Sequence, residues 1–214
     1  MYSVIVLCAG KGTRTGLDYN KILYCFDNGY TVYEMTLNCF LQDEKCGQII
    51  AVTQSFERNK FQQLINDNRI EFVDGGKERQ DSVYAGLKRV KYENVLIHDG
   101  ARPYLKKQYI ELLLDCLKVH KACLLMVPCK DTIKEVKDGK IIQTLKRENL
   151  MQAQTPQAFH HELILNAYEK GIQACFQATD DAQMVEQFSE EDVYIIIGDY
   201  ENKKITTRED LNNL

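Results

Sequence analysis

Apolar residues fall along this chain in short unbroken runs, separated by polar loops and by stretches whose apolar positions recur every three to four residues. The runs Val4 to Leu7, Ile49 to Thr53, Glu71 to Val73, Val95 to His98, Cys123 to Val127 and Val193 to Ile197 predict strands. They do not alternate apolar with polar, the pattern of strands covered on both faces and so of a mostly parallel sheet. Thr31 to Leu41 predicts a helix that opens with a capping box of Thr31 and Glu34 and lines up Tyr33, Leu37, Phe40 and Leu41. Lys107 to Val119 predicts another, with Ile110, Leu113, Leu114 and Leu117 at i, i+3, i+4 and i+7. Strands alternating with helices make an α/β fold, with helices on both faces of the sheet.

One segment departs from that rhythm. Thr132 to Leu145 has strand-like flanks around Asp138-Gly139, a two-residue turn signal, and predicts a β-hairpin. A lone hairpin is marginal in water. The expectation is therefore a protruding arm, at about residues 131–156, packed on its own body or on a second subunit.

Composition narrows the function classes. The chain has 214 residues, 44% hydrophobic and 27% charged, enough for one substantial core and an ordinary globular mixture; a single domain over residues 1–214 is expected. A formal net charge of -4 lacks the basic footprint of a nucleic-acid binder, so any nucleotide partner is a free one. The start, Met1-Tyr2-Ser3, has no basic n-region, and no apolar run nears the roughly 20 residues that cross a bilayer; no membrane partner and a cytoplasmic location are expected. None of the eight cysteines is spaced Cys-x-x-Cys, which favours reduced, buried thiols.

Three loops carry candidate chemistry. Cys8-Ala9-Gly10-Lys11-Gly12-Thr13-Arg14 follows the first strand, where backbone N–H groups face ligands in open α/β sheets. It is not a P-loop, and Thr15 stands where a dinucleotide fingerprint has its third glycine. Lys11, Arg14 and Lys21 make it cationic, although a solvated surface turn has the same composition. Gly75-Gly76-Lys77-Glu78-Arg79-Gln80-Asp81-Ser82 leads into a helix carrying Val83, Leu87 and Val90. Its paired glycines would admit a planar ligand, and Asp81 or Ser82 would equally cap the helix. His98-Asp99-Gly100-Ala101-Arg102-Pro103 ends a strand in a carboxylate placed like an Mg²⁺ ligand and a guanidinium able to hold an anion, or else in an ion pair that stabilises a turn. Asp131-Thr132-Ile133-Lys134, Arg147 with Gln154-Thr155-Pro156-Gln157, Thr179-Asp180-Asp181 and Asn202 to Thr206 complete the set; singly they are a hairpin start, a proline turn, a helix cap and a charged loop.

Together, in order from Ala9 to Asp210, these segments resemble the 2-C-methyl-D-erythritol 4-phosphate cytidylyltransferase family, with its Ala-Gly-x-Gly-x-Arg, Gly-Gly-x-x-Arg-x-x-Ser, His-Asp-x-Ala-Arg-Pro, Asp-Thr-Ile-Lys, Thr-Pro-Gln, Thr-Asp-Asp and Lys-Ile-Thr motifs. The resemblance implies a Rossmann-like, mostly parallel α/β nucleotide-binding domain, transfer of CMP from CTP to 2-C-methyl-D-erythritol 4-phosphate in the non-mevalonate route to isoprenoid precursors, Mg²⁺ dependence, and a homodimer formed through the protruding arm. It implies that Cys8, Ala9, Gly10 and Gly12 wrap the CTP phosphates while Arg14 and Lys21 stabilise charge at the α-phosphorus. Gly76, Arg79 and Ser82 would surround cytosine and ribose. Asp99, Gly100, Arg102, Thr132, Thr155 and Thr179 would surround the acceptor, with Arg147 and Lys204 on its phosphate. Cys8, Asn20, Lys77 and Gly100 depart from the usual pattern, where alanine, proline, an acidic residue and alanine are common. Ribitol-5-phosphate cytidylyltransferase is the neighbouring alternative, but generally lacks the combination seen from Asp131 to Gln157. A catalytically silent nucleotide-binding protein is the alternative of another class, and a nicotinamide oxidoreductase lacks its third glycine.

Overall fold

The computed structural model describes residues 1–10 and 12–212; Lys11, one of the cations of the first loop, lies outside them. The strands are β1 (Tyr2–Leu7), β2 (Cys46–Thr53), β3 (Ile70–Asp74), β4 (Asn94–Asp99), β5 (Ala122–Pro128), β6 (Lys134–Lys137), β7 (Lys140–Thr144), β8 (Met151–His160) and β9 (Tyr194–Ile197). The α-helices are α1 (Val32–Leu41), α2 (Arg58–Leu64), α3 (Arg79–Leu87), α4 (Lys107–Cys116), α5 (His161–Gln173), α6 (Asp181–Phe188) and α7 (Glu209–Asn212).

Seven strands form one sheet in the order β3-β2-β1-β4-β8-β5-β9. All neighbours are parallel except β8, which runs antiparallel to both β4 and β5. The chain builds outward from β1 through β2 to β3, then returns to place β4 on the other side of β1. That reversal is the switch point at which open α/β sheets bind ligands. Alternate residues of β1 feed two cores. Val4 and Val6 pack with Phe40 of α1, Phe61 of α2 and Leu113 of α4, whereas Ile5 packs with Val83 and Leu87 of α3, Ile164 of α5 and Val185 of α6. The expected helices on both faces follow from this alternation.

The α1 capping box forms: Glu34 N–H donates to Thr31 Oγ1 at 3.2 Å and Thr31 N–H donates to the Glu34 carboxylate at 2.7 Å. The hairpin also forms, β6 pairing with β7 around Asp138 and Gly139, whose φ of 51° and 74° suit a type I′ turn. All its strand residues are exposed.

Three differences from the sequence reading have physical causes. Gln154 to Gln157 is not a proline turn but the interior of β8, between two other strands of the sheet. Polar side chains and a proline hide such a strand from a search for apolar runs. Pro156 has no N–H to give the ladder, and beside it the register against β5 shifts between Leu124 and Met126 while pairing with β4 stops at Gln157. β9 is an edge strand that leaves Tyr194, Ile195 and Ile197 exposed, so it is not covered on both faces. All eight cysteines are free, but Cys25 and Cys175 are exposed rather than buried.

Candidate active site

The carboxyl ends of β1, β2, β3 and β4 open onto one cleft of about 490 Å³. Its floor is the loop that leaves β1, lined by Cys8, Ala9, Gly10 and Gly12. Two carbonyls of that loop are held from below, Ala9 by Gln54 Nε2 at 3.0 Å and Cys8 by Asn20 Nδ2 at 2.7 Å. Gly12 adopts φ of 63°, which lets the chain turn back so that Thr15 N–H donates to the Gly12 carbonyl at 3.0 Å.

The segment after β3 forms one wall. A Cβ on Gly75 would lie 2.6 Å from Ala9 Cβ, and one on Gly76 would lie 2.2 Å from Asp81 Cβ. The glycine pair is therefore required by contact with the protein's own chain, and Gly76 also lines the cleft. α3 begins at Arg79, earlier than a cap at Asp81 or Ser82 would place it. Ser82 Oγ accepts from Gly76 N–H and donates to the Glu78 carbonyl, both at 3.1 Å, closing the loop against the helix.

Cations gather at the mouth. Arg14, Lys21, Arg79 and Lys204 all line the cleft, although more than 180 residues of sequence separate the first from the last. Lys21 Nζ donates to the Ile205 carbonyl at 2.6 Å. Burial, with Lys204 and Arg14 nearby, lowers its pKa to about 8. Lys204 Nζ lies 2.8 Å from Asp99 Oδ2. Asp99 also faces Arg102 Nε at 3.6 Å and Arg79 Nε at 3.7 Å. Burial alone would raise the carboxyl, but Lys204, Arg79 and Arg102 outweigh it and hold Asp99 well below the usual carboxylate range. Arg79 donates both terminal nitrogens to Asp181, at 2.9 and 2.7 Å, and Tyr168 O–H donates to the same buried carboxylate at 2.6 Å. Its guanidinium is thereby locked in one orientation.

A glycine-lined floor at a switch point, ringed by cations of which Lys21, Arg79 and Lys204 are held in place, suits a polyphosphate. The comparisons with known proteins agree. A family described as IspD: 2-C-methyl-D-erythritol 4-phosphate cytidylyltransferase matches residues 2–213. The chain belongs to that family. Among relatives bearing the family name, the Bacillus licheniformis protein is 43% identical over 215 residues, spanning 98% of this chain and 92% of its own length. The Bacillus mycoides protein is 40% identical over 216 residues, spanning 99% and 95%. The solved 4-diphosphocytidyl-2C-methyl-D-erythritol synthase of Anaerococcus prevotii is 33% identical, with a TM-score of 0.88 over 98% of this chain and 92% of that one.

Within the family reading, the fold brings together every residue expected around CTP, namely Cys8, Ala9, Gly10, Gly12, Gly76, Arg79 and Ser82, with Arg14, Lys21, Lys204, Asp99 and Gly100. Five expected residues do not line this cleft. Thr155 is buried behind it and committed to the frame: its hydroxyl accepts from Asp99 N–H at 3.0 Å and donates to His98 Nδ1 at 3.1 Å. That donation follows because His98 Nε2 faces the Arg102 carbonyl at 3.2 Å, a pure acceptor, and must carry the ring proton. Arg102 donates to the Asn202 carbonyl at 2.6 Å, behind Asp99. Thr179 is exposed before α6, its N–H donating to Gln183 Oε1 at 2.7 Å. Thr132 and Arg147 belong to the exposed arm, where Arg147 donates to the Lys130 carbonyl at 2.9 Å.

Sequence reasoning named Asp181 in a motif and Asn20 beside Lys21 without giving either a role, and passed over Gln54. Gln54 directly follows the predicted strand Ile49 to Thr53, at the ligand-facing edge, and that position was a usable signal. The partners that give Asp181 and Asn20 their roles, Arg79 for Asp181 and Cys8 and Glu57 for Asn20, lie outside their local sequence.

Proposed function

We propose that this chain transfers CMP from CTP to 2-C-methyl-D-erythritol 4-phosphate, releasing pyrophosphate and forming 4-diphosphocytidyl-2-C-methyl-D-erythritol. The observation that carries this reading is the convergence of Arg14, Lys21 and Lys204 on one glycine-floored cleft at the switch point. A phosphate oxygen of the acceptor forms a bond to the α-phosphorus of CTP as the bond from that phosphorus to the pyrophosphate oxygen breaks. The attacking oxygen is already anionic, so no base is needed; the obstacle is repulsion between two phosphates. His98, buried and doubly bonded, suits that chemistry by staying out of it. Arg14 and Lys21 stabilise charge developing at the α-phosphorus, and Lys204 meets the acceptor phosphate.

Enzymes of this family generally use a divalent cation, and our reading assigns Mg²⁺. Asp99 was its expected ligand. Three cations already face that carboxylate, and no group of three or more His, Cys, Asp or Glu side chains is disposed to hold a metal among the described residues. With its charge already met by three cations, Asp99 does not fit a metal ligand, and we read it instead as the anchor of Lys204 and Arg79.

Thr132 and Arg147 require a second copy. The arm exposes Val136, Ile141 and Ile142, each more than half accessible, on a hairpin too small to stand alone. A homodimer through the arm covers that surface, and it is the arrangement in which the arm of one protomer can serve the cleft of its partner.

Pyrophosphate release decides the reading. With CTP, a divalent cation and 2-C-methyl-D-erythritol 4-phosphate, turnover is expected, and ribitol 5-phosphate should be a far poorer acceptor. CTP binding without release from either would mark a silent nucleotide binder. Replacing Arg14 or Lys21 by alanine should lower kcat by about 10²- to 10³-fold, as for loss of a preorganised charge stabiliser.

A further inference from the structure

Asn20, 4% exposed, occupies the junction between the loop that leaves β1 and Lys21. Its Nδ2 donates to the Cys8 carbonyl at 2.7 Å and to Glu57 Oε2 at 3.0 Å, while its Oδ1 accepts from Ile22 N–H at 3.3 Å. Two acceptors on one side and a donor on the other leave the carboxamide a single satisfactory orientation. Glu57, 6% exposed, is the side chain that accepts from Nδ2 and fixes which end of the carboxamide faces it. Lys21 opens the one-turn 3-10 helix Lys21–Leu23 that this carboxamide caps. Its ammonium is tethered separately to the Ile205 carbonyl. The backbone of Lys21 and the floor of the cleft are thus joined through one buried amide.

We propose that Asn20, oriented by Glu57, is a positioning residue for phosphoryl transfer: it ties the Cys8 carbonyl to the turn bearing Lys21, so that glycine loop and ammonium meet the nucleotide as one rigid unit. This rests on the reading of Lys21 as a charge stabiliser. Misplacement of such a group by about 1 Å is enough to cost on the order of 10²-fold in rate.

The test is a kinetic cycle of wild type, Asn20→Ala, Lys21→Ala and the double variant, with melting temperatures to verify folding. Asn20→Ala should lower kcat by about 10- to 100-fold with KM for CTP within about threefold, and should cost less than about threefold when Lys21 is already alanine. A loss of equal size in both backgrounds, or a kcat within twofold of wild type where Lys21→Ala is crippled, overturns the proposal. Full turnover by Lys21→Ala overturns instead the role of Lys21, and the proposal with it. Asn20→Asp supplies an independent arm should the alanine variant not fold, since it sets a carboxylate against Glu57. Adding Glu57→Gln restores a donor between the two positions and should recover kcat several-fold; no recovery overturns the proposal.

Discussion

Lys21 holds its charge less securely than an exposed lysine, because burial and the neighbouring Lys204 and Arg14 bring its pKa down to about 8. It is cationic below that value and neutral above it, so kcat/KM for CTP should fall as pH rises through about 8. A Lys21→Arg variant, slower overall, should lose this limb because guanidinium does not deprotonate in that range. An alkaline limb that persists in the arginine variant would assign it elsewhere. His98 sets the acid side of stability. Burial lowers its pKa from 6.5 to about 4. Between those values the unfolded chain binds a proton that the native chain refuses, so stability should decline as pH falls from about 6.5 toward 4. Asp99, held below its ordinary range, extends the loss further into acid, because the unfolded carboxyl protonates first. Urea midpoints at several pH values would show the decline; a midpoint unchanged between pH 7 and 5 would contradict it.

At the scale of elements, β8 is where local pattern and native role part. Its Gln157 donates to Asp180 Oδ2 at 2.9 Å and accepts from Ala182 N–H at 2.8 Å, fastening the start of α6 to the sheet. Gln154 Nε2 donates to the Asp199 carbonyl at 2.8 Å. Gln157→Leu keeps the size but orphans buried groups, and should destabilise by about 1–3 kcal/mol in chemical denaturation. Gly100 is a second such place. A Cβ there would lie 2.7 Å from the Leu7 carbonyl oxygen and 3.1 Å from Cys8 Sγ. Gly100→Ala should cost about 1–3 kcal/mol in this chain, because the added methyl meets the Leu7 carbonyl oxygen and then Cys8 Sγ; a variant as stable as wild type would refute that. The capping box, the hairpin and most strand cores were legible because their determinants lie within a few residues. β8 was not, since its polar residues are satisfied only by partners that folding brings to them.

For the whole molecule, the exposed arm is the feature that argues for a second copy. Ile141→Asp with Ile142→Asp should yield a monomer by sedimentation and strongly reduced turnover, while the melting of the main body changes little; a dimer that survives would place the interface elsewhere. The sequence alone determined the α/β class, the run of strands and helices, the arm, and the order of motifs that marks the family, because each depends on neighbours along the chain. Tertiary structure decided which cations share a cleft. It also drew Lys204, Arg79 and Arg102 around Asp99, placed Thr155 and Arg102 outside the cleft lining, and made Asn20, Glu57 and Asp181 its supports. Most of those contacts join residues from 12 to 184 positions apart, and only the packed sheet sets such distances.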